Sequence, residues 1–178
     1  PMMGESLQGV RNGTYVIDLE QTESNLRRSA QFLHALASQG GHVLFVDPTP
    51  GSKALTRAAA KACNQSVLAH GWIGGFLTNG HSVSNELALY HQLQQYPHTQ
   101  GTNLPQYRRM KNRCSGLRQG FTKPDALILV NVGSCKVAVA EATALCIPVV
   151  AIVDGHESSQ GITYPIPGNP KYLRFLHH

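Results

Sequence analysis

Residues 124–154, PDALILVNVGSCKVAVAEATALCIPVVAIVD, decide the fold. Within them, residues 126–132 and 148–154 are nearly continuous apolar runs, each with the length of one buried strand. The alanine-rich stretch between them, residues 134–145, is typical of a helix. Strands that are apolar on both faces and are joined by a helix indicate a parallel sheet with helices on both sides. We therefore predict a strand, a helix and a second, parallel strand here.

The same alternation continues on both sides of this stretch. Residues 22–39 predict an amphipathic helix, with Thr22 as its N-cap and a Gly-Gly pair at its end. Five strands with right-handed crossovers predict a three-layer α/β/α fold in a single domain, residues 1–178. The remaining predicted elements are strands at residues 42–47, 66–69 and 162–166, and helices at residues 52–63, from about residue 83, and after residue 169.

Two segments are predicted to depart from this alternation. The chain before residue 22 is predicted to be irregular. Residues 96–123 carry prolines, glycines and basic side chains with little apolar periodicity, which predicts a loop-rich, basic excursion with room for one short helix. The first residues lack the pattern of a secretory signal, and a first residue other than Met predicts a start that is either processed or incomplete.

Composition limits the class of protein. Of the 178 residues, 42% are hydrophobic, which is enough for one well-packed core. No apolar run approaches the roughly 20 residues that cross a bilayer, so we expect no membrane span. The four cysteines form no Cys-x-x-Cys pair, so we predict neither a zinc site nor a disulfide framework.

Positive charge is concentrated in the middle of the chain. Residues 48–123 hold nine of the fifteen Lys and Arg residues but only one acid, Glu86. This asymmetry predicts a face that binds phosphates, although a merely solvated basic surface has a similar pattern. The candidate contacts are Lys53, Arg57 and Lys61, which recur at helical spacing, and Arg108, Arg109, Lys111, Arg113, Arg118 and Lys123 in the excursion.

The glycine-rich loop at residues 71–80 is a second candidate for nucleic-acid binding. Adjacent glycines let the backbone approach a phosphate closely, and Trp72 and Asn79 offer stacking and hydrogen bonding. Trp72 has an equally good alternative interpretation as a core residue.

An enzyme is the main alternative hypothesis. The predicted strands end at Asp47, Asn131 and Asp154, and ligands of open α/β sheets bind at such ends. However, no phosphate-binding glycine motif and no Gly-x-Ser-x-Gly occurs, and an Asp after a strand is commonly a cap or turn residue. Glu141, in an apolar helix, is interpreted as a partnered residue at the core boundary. We predict no catalytic residue, no metal and no cofactor.

Several motifs resemble the ribosomal protein S2 family. Residues 71–79, GWIGGFLTN, resemble its Arg-Trp-Leu-Gly-Gly-x-Leu-Thr-Asn signature, and residues 11–19, RNGTYVIDL, resemble its opening motif. Residues 44–46, 147–154 and 164–169 follow the family in order. The resemblance implies a flavodoxin-like sheet of order 2-1-3-4-5 and adds Arg11 to the candidate RNA contacts.

The resemblance also implies a function. It makes the chain a structural constituent of the small ribosomal subunit, with small-subunit rRNA and neighbouring ribosomal proteins as partners and no small-molecule substrate or membrane. Gly71 replaces a family Arg, Gly80 replaces an aromatic, and residues 96–123 stand where the bacterial members have a long helical hairpin. Such remodelling suggests a mitochondrial ribosome, with a plastid or the bacterial cytoplasm as alternatives. A free RNA-binding regulator is a further alternative function.

Overall fold

The structure, a computed structural model, describes residues 7–11, 14–95, 105–118 and 121–169. None of the helices in these ranges is both long and apolar enough to span a membrane. The strands are β1 (Leu7–Arg11), β2 (Thr14–Ile17), β3 (Val43–Val46), β4 (Ser66–Leu68), β5 (Ala126–Leu129), β6 (Val149–Val153) and β7 (Tyr164–Pro167). The helices are α1 (Leu19–Ser38), α2 (Lys53–Ala62), α3 (Gly80–Gln95), α4 (Pro105–Cys114) and α5 (Lys136–Ala144).

Five strands form one parallel sheet in the order β4-β3-β5-β6-β7. Counted along the chain within that sheet, this order is 2-1-3-4-5. Helices cover both sides of the sheet, so the predicted three-layer, flavodoxin-like α/β/α architecture is confirmed. The strand predicted at residues 126–132 is shorter than expected: it ends at Leu129, and the Val130 amide makes one further hydrogen bond to the Val46 carbonyl.

The core lies mainly on one side of the sheet. Leu44, Leu127 and Leu129 are fully buried there, in one cluster with apolar residues of α3, α4 and α5. On the other side, Ala60 of α2 packs with Val67, in a smaller cluster. Alternate residues of a strand point to opposite faces, so the almost wholly apolar strands serve both layers.

Helix α1 lies on the same side of the sheet as α2 but at the other edge, against β7. The rings of Phe32 and Tyr164 stack at 4.6 Å between centroids, and Thr22 Oγ1 donates to the Pro167 carbonyl at 2.9 Å. The N-cap is Asp18, whose carboxylate accepts from the Glu20 and Gln21 amides, so the prediction of Thr22 as the cap is wrong. Thr22 instead ties the helix to the last strand of the sheet.

The prediction of an irregular start is also wrong. Strands β1 and β2 pair antiparallel as a two-stranded ribbon outside the main sheet. The sequence signal was the Asn-Gly pair at residues 12–13 between two short β-prone runs, a common hairpin turn. Residues 12–13 themselves lie outside the described residues, as does the helix predicted after residue 169.

In its described residues, 105–118 and 121–123, the basic excursion contains one helix, α4, as the sequence allowed, and it then returns to the edge of the sheet. The Gly116 carbonyl accepts a hydrogen bond from the Val67 amide at 2.8 Å, and Ser66 Oγ accepts one from the Arg118 amide at 3.2 Å. This segment therefore covers the open edge of β4, which would otherwise present unpaired backbone groups.

Candidate nucleic-acid interface

Helix α2 carries three cations in one row along its length. Lys53, Arg57 and Lys61 lie one turn apart, with Lys53 half-buried and the other two exposed, while Thr56 and Ala60 on the neighbouring face are buried. Within the described residues, no carboxylate lies within ion-pair distance of these three cations. Like charges at this spacing repel one another, so the face is suited to an anionic partner.

His70, which the sequence analysis missed, extends this basic face. Its Nε2 lies 2.7 Å from Arg57 Nη2, and since a guanidinium only donates, His70 Nε2 is the acceptor. The proton of the neutral ring is then on Nδ1. Burial, and then the positive charges of Arg57 and Lys53, lower the pKa of His70 from its ordinary value of 6.5. The sequence offered one signal for His70: it comes soon after the strand that follows the basic helix.

The glycine-rich loop is organised around a carboxylate from another part of the chain. Glu141 Oε1 accepts from Trp72 Nε1 at 3.0 Å and from the Gly75 amide at 2.7 Å. Its Oε2 accepts from the Leu77 amide at 2.9 Å and the Thr78 amide at 3.4 Å. Glu141 is only 8% exposed. Burial raises the pKa of Glu141, but these hydrogen bonds outweigh it and hold the pKa below its usual range.

Trp72 is an anchor of this loop. Its ring packs edge-on against Phe76, at 5.3 Å between centroids, and contacts the main core cluster. With its indole N–H donated to Glu141 as well, the geometry favours the interpretation of Trp72 as a packed residue. Asn79, by contrast, is exposed where α3 begins.

The basic residues of the excursion divide into two groups. Arg113 on α4 is paired with Glu86 on α3 at 3.1 Å, so its charge is already compensated within the chain. The other described members are exposed; they are Arg108, Arg109, Lys111, Arg118 and Lys123. The Arg11 side chain is outside the described part of the structure, although its backbone pairs with Thr14.

The strand ends carry turn residues. Asp47 is fully buried, and its carboxylate accepts from the Thr49 amide at 3.0 Å and from Thr56 Oγ1 at 2.6 Å. Asn131 donates to Thr49 Oγ1, and Asp154 accepts from the next amide. Asp47 and Asp154 each accept from an amide of their own turn, as predicted for an Asp that follows a strand, and Asn131 Oδ1 accepts from the Ser134 amide.

An open cleft of about 740 Å³ lies near this edge, between α5 and residues 156–161. Lys136, His156 and Glu157 are among its lining residues, but Asp47, Asn131 and Asp154 are not. Within the described residues, no cluster of His, Cys, Asp or Glu side chains is arranged to hold a metal ion. The strand-end residues proposed for an enzyme therefore do not converge on this cleft.

The fold is thus an α/β sheet with turn-forming polar residues at its described strand ends, and its helix α2 carries cations that have no carboxylate partner among the described residues. The family model described as ribosomal protein S2 matches residues 1–177. The chain therefore belongs to the ribosomal protein S2 family, and its role is structural and ribosomal.

Curated relatives agree with this assignment. The protein named small ribosomal subunit protein uS2 of Acidiphilium cryptum is 33% identical, over 99% of this chain and 72% of that protein. Proteins of the same name from Rhodospirillum centenum (33% identical, 71% of that protein) and Cereibacter sphaeroides (34% identical, 74%) also align with 99% of this chain. The resemblance seen in the sequence motifs is confirmed.

Proposed function

We propose that this chain is a structural constituent of the small ribosomal subunit that binds its rRNA and adjoining ribosomal proteins, and that it catalyses no reaction. The observation that carries the RNA-binding part is the row of Lys53, Arg57 and Lys61 along α2, which has no carboxylate partner among the described residues. Cations without a carboxylate partner are free to neutralise RNA phosphates, and the counterions that the RNA then releases contribute favourably to the binding free energy.

The proposed RNA surface has a principal part and a secondary part. The principal part, the α2 face, consists of Lys53, Arg57, Lys61 and His70. The secondary part consists of the exposed cations Arg108, Arg109, Lys111, Arg118 and Lys123. Arg113 contributes less because Glu86 compensates it. Trp72 supports the loop that presents Asn79. Arg11 is also a proposed RNA contact, because it belongs to a motif that resembles the family's.

We further propose that the ribosome is mitochondrial and that residues 1–178 form one domain of the ribosomal protein S2 type. Support comes from the internal departures from the bacterial pattern: Gly71 and Gly80 in the signature loop, and the short basic segment 96–123 in place of a helical hairpin. Mass spectrometry of ribosomes from purified mitochondria, plastids and cytosol tests the location. Recovery of the chain only in a fraction other than mitochondria contradicts it.

Sedimentation of a lysate through a sucrose gradient tests the ribosomal part of the proposal. At moderate salt we expect the chain to comigrate with small-subunit rRNA, and at high salt to be released progressively, since phosphate contacts weaken steeply with salt. A chain that stays at the top of the gradient at moderate salt would contradict incorporation into the ribosome. Selective crosslinking to one non-ribosomal RNA would then favour the free-regulator hypothesis.

A further inference from the structure

We infer that Glu141 is a positioning residue for RNA binding: its carboxylate fixes the loop at residues 72–78, which presents Asn79 and the first turn of α3 to rRNA. The inference rests on the proposed RNA-binding function. It adds that the loop has its binding shape before RNA arrives, because the anion at its centre belongs to the protein.

Glu141 contacts the loop through both of its carboxylate oxygens. Four donors converge on its two carboxylate oxygens: the Trp72 indole N–H and the amides of Gly75, Leu77 and Thr78. They are separated from Glu141 by 63 to 69 residues along the chain, so the carboxylate joins α5 to the loop. Hydrogen bonds to a buried charged acceptor are stronger than those between neutral groups.

A carboxylate suits this position better than any neutral side chain. Successive backbone amides that converge on one point form an anion site, and an empty one attracts a phosphate oxygen. Here Glu141 occupies that point, so an RNA phosphate does not reach these amides. A glutamine has only one acceptor oxygen, and its NH₂ group faces donors whichever way it is turned.

A short hydrogen-bond path links Glu141 to the exposed side of the loop. The Gly75 amide donates to Glu141 at 2.7 Å, and the Gly75 carbonyl accepts from the Asn79 amide, also at 2.7 Å. The Asn79 carbonyl in turn accepts from the Ser82 and Val83 amides at the start of α3. A displacement of Gly75 would therefore also move Asn79 and the first turn of α3.

The outer surface at this point is open to a large partner. Thr78, Asn79 and Gly80 are exposed, and a Cβ atom added at Gly74 or Gly80 would meet no atom within 4 Å. The first turn of α3 contains no acidic residue. The Asn79 side chain has no hydrogen-bond partner among the described residues, so its donor and acceptor groups face solvent.

Trp72 makes the inference measurable because it is the only tryptophan of the chain. Its fluorescence reports the loop, and binding to purified small-subunit rRNA at two salt concentrations reports the interface. We compare Glu141→Gln with Glu23→Gln, a matched change at an exposed position of α1. Glu141→Gln should shift the emission to longer wavelength and weaken binding by about tenfold, since a loop that must order on binding loses preorganisation. Glu23→Gln should change neither.

Asn79→Ala separates contact from positioning. It should weaken rRNA binding by about twofold to tenfold, the range that one net hydrogen bond supplies, without moving the Trp72 emission. An emission shift in Glu141→Gln with unchanged rRNA affinity would overturn the inference while leaving the proposed function intact. Failure of the wild-type chain to bind rRNA at moderate salt would instead remove the proposed function.

Hydrogen exchange of the RNA-free wild type gives a test that needs no variant, in case Glu141→Gln loses its far-UV circular dichroism. The Trp72 indole N–H and the amides of Gly75 and Leu77 should exchange slowly, since all three are donated to a buried carboxylate. Exchange as fast as that of an exposed loop would overturn the inference, because the loop would then not be preformed.

Discussion

Arg57 and His70 meet across two elements of the fold, with 2.7 Å between Nη2 of the arginine on α2 and Nε2 of the histidine that follows β4. The contact gives the guanidinium a fixed direction, since the histidine ring is attached to the edge of the sheet. A cation held in place loses less side-chain entropy when it binds a phosphate than a free one does. Arg57 is therefore the cation of the α2 face whose removal is expected to matter most.

Replacing Arg57 by Ala should weaken rRNA binding and reduce the slope of log affinity against log salt by about 1, the contribution of one phosphate contact. The free energy of unfolding should change by no more than about 0.5 kcal/mol, because the side chain is exposed. Arg28→Ala, at an exposed position of α1, is the matched control. Equal losses of affinity in the two variants would mean that only overall charge matters.

His70 should titrate below 6.5 in the folded protein, because burial and the neighbouring cations disfavour its charged form. Arg57→Ala should raise this pKa, because it removes one of the two neighbouring positive charges. A histidine with a depressed folded pKa stabilises the fold above pH 6.5, and that contribution decreases as pH falls through the folded pKa. NMR titration of the ring, assigned with His70→Gln, measures both values; a His70 pKa at or above 6.5 would contradict the described contact.

Gly116→Ala should destabilise the fold by about 1 to 3 kcal/mol, the usual cost of overpacking a close contact. A Cβ there would overlap the Val67 carbonyl oxygen, and the segment cannot move away without breaking its hydrogen bond to the Val67 amide. Urea unfolding measures the loss. Gly74→Ala, where the added Cβ meets no atom within 4 Å, is the control and should be close to neutral.

The arginines of α4 should differ in function. Arg109→Ala removes an exposed, uncompensated charge and should lower rRNA affinity and its salt dependence. Arg113→Ala breaks the pair with Glu86 and should affect stability more and the salt dependence less. Because both partners are partly exposed, a double-mutant cycle with Glu86→Gln should give a coupling of about 0.2 to 1 kcal/mol. A larger salt effect for Arg113 than for Arg109 would reverse the assignment.

The four free thiols should react in two classes. Burial raises the pKa of Cys114 to about 11 and that of Cys135 to about 12, whereas Cys63 and Cys146 are exposed. Iodoacetamide at pH 8 should therefore label Cys63 and Cys146 in the native protein and all four cysteines in urea, since the thiolate is the reactive form. Peptide mass spectrometry identifies the sites. Rapid native labelling of Cys135 would indicate that the core opens easily.

The strands and the cationic row of α2 were predictable because each depends on residues that are close together in sequence. The apolar runs at residues 126–132 and 148–154 and the basic spacing of Lys53, Arg57 and Lys61 gave the strands and the cationic face before any contact was known. The order of the strands came from the family resemblance, because the pairing of parallel strands is set by contacts distant in sequence. The ribbon of β1 and β2 was missed because its strands are short and lie outside the apolar alternation.

The parts of the site that escaped prediction depend on partners far along the chain. Glu141 was expected to have partners, but nothing local identifies Trp72 and the loop amides as those partners. The pairing of Arg113 with Glu86 and the contact of His70 with Arg57 escaped for the same reason. A sequence shows which side chains need partners more readily than it shows which partners they have.

The hydrogen bond from Thr22 to the Pro167 carbonyl spans 145 residues, and it has a consequence for the order of events during synthesis. Helix α1 leaves the ribosome long before β7, the strand on which it packs, has been made. Until then Phe32 lacks the Tyr164 ring and the helix lacks β7 to pack on, and isolated helices are marginal without tertiary packing. We therefore expect α1 to dock late in folding, and a chain interrupted before β7 to leave its first helix without this packing.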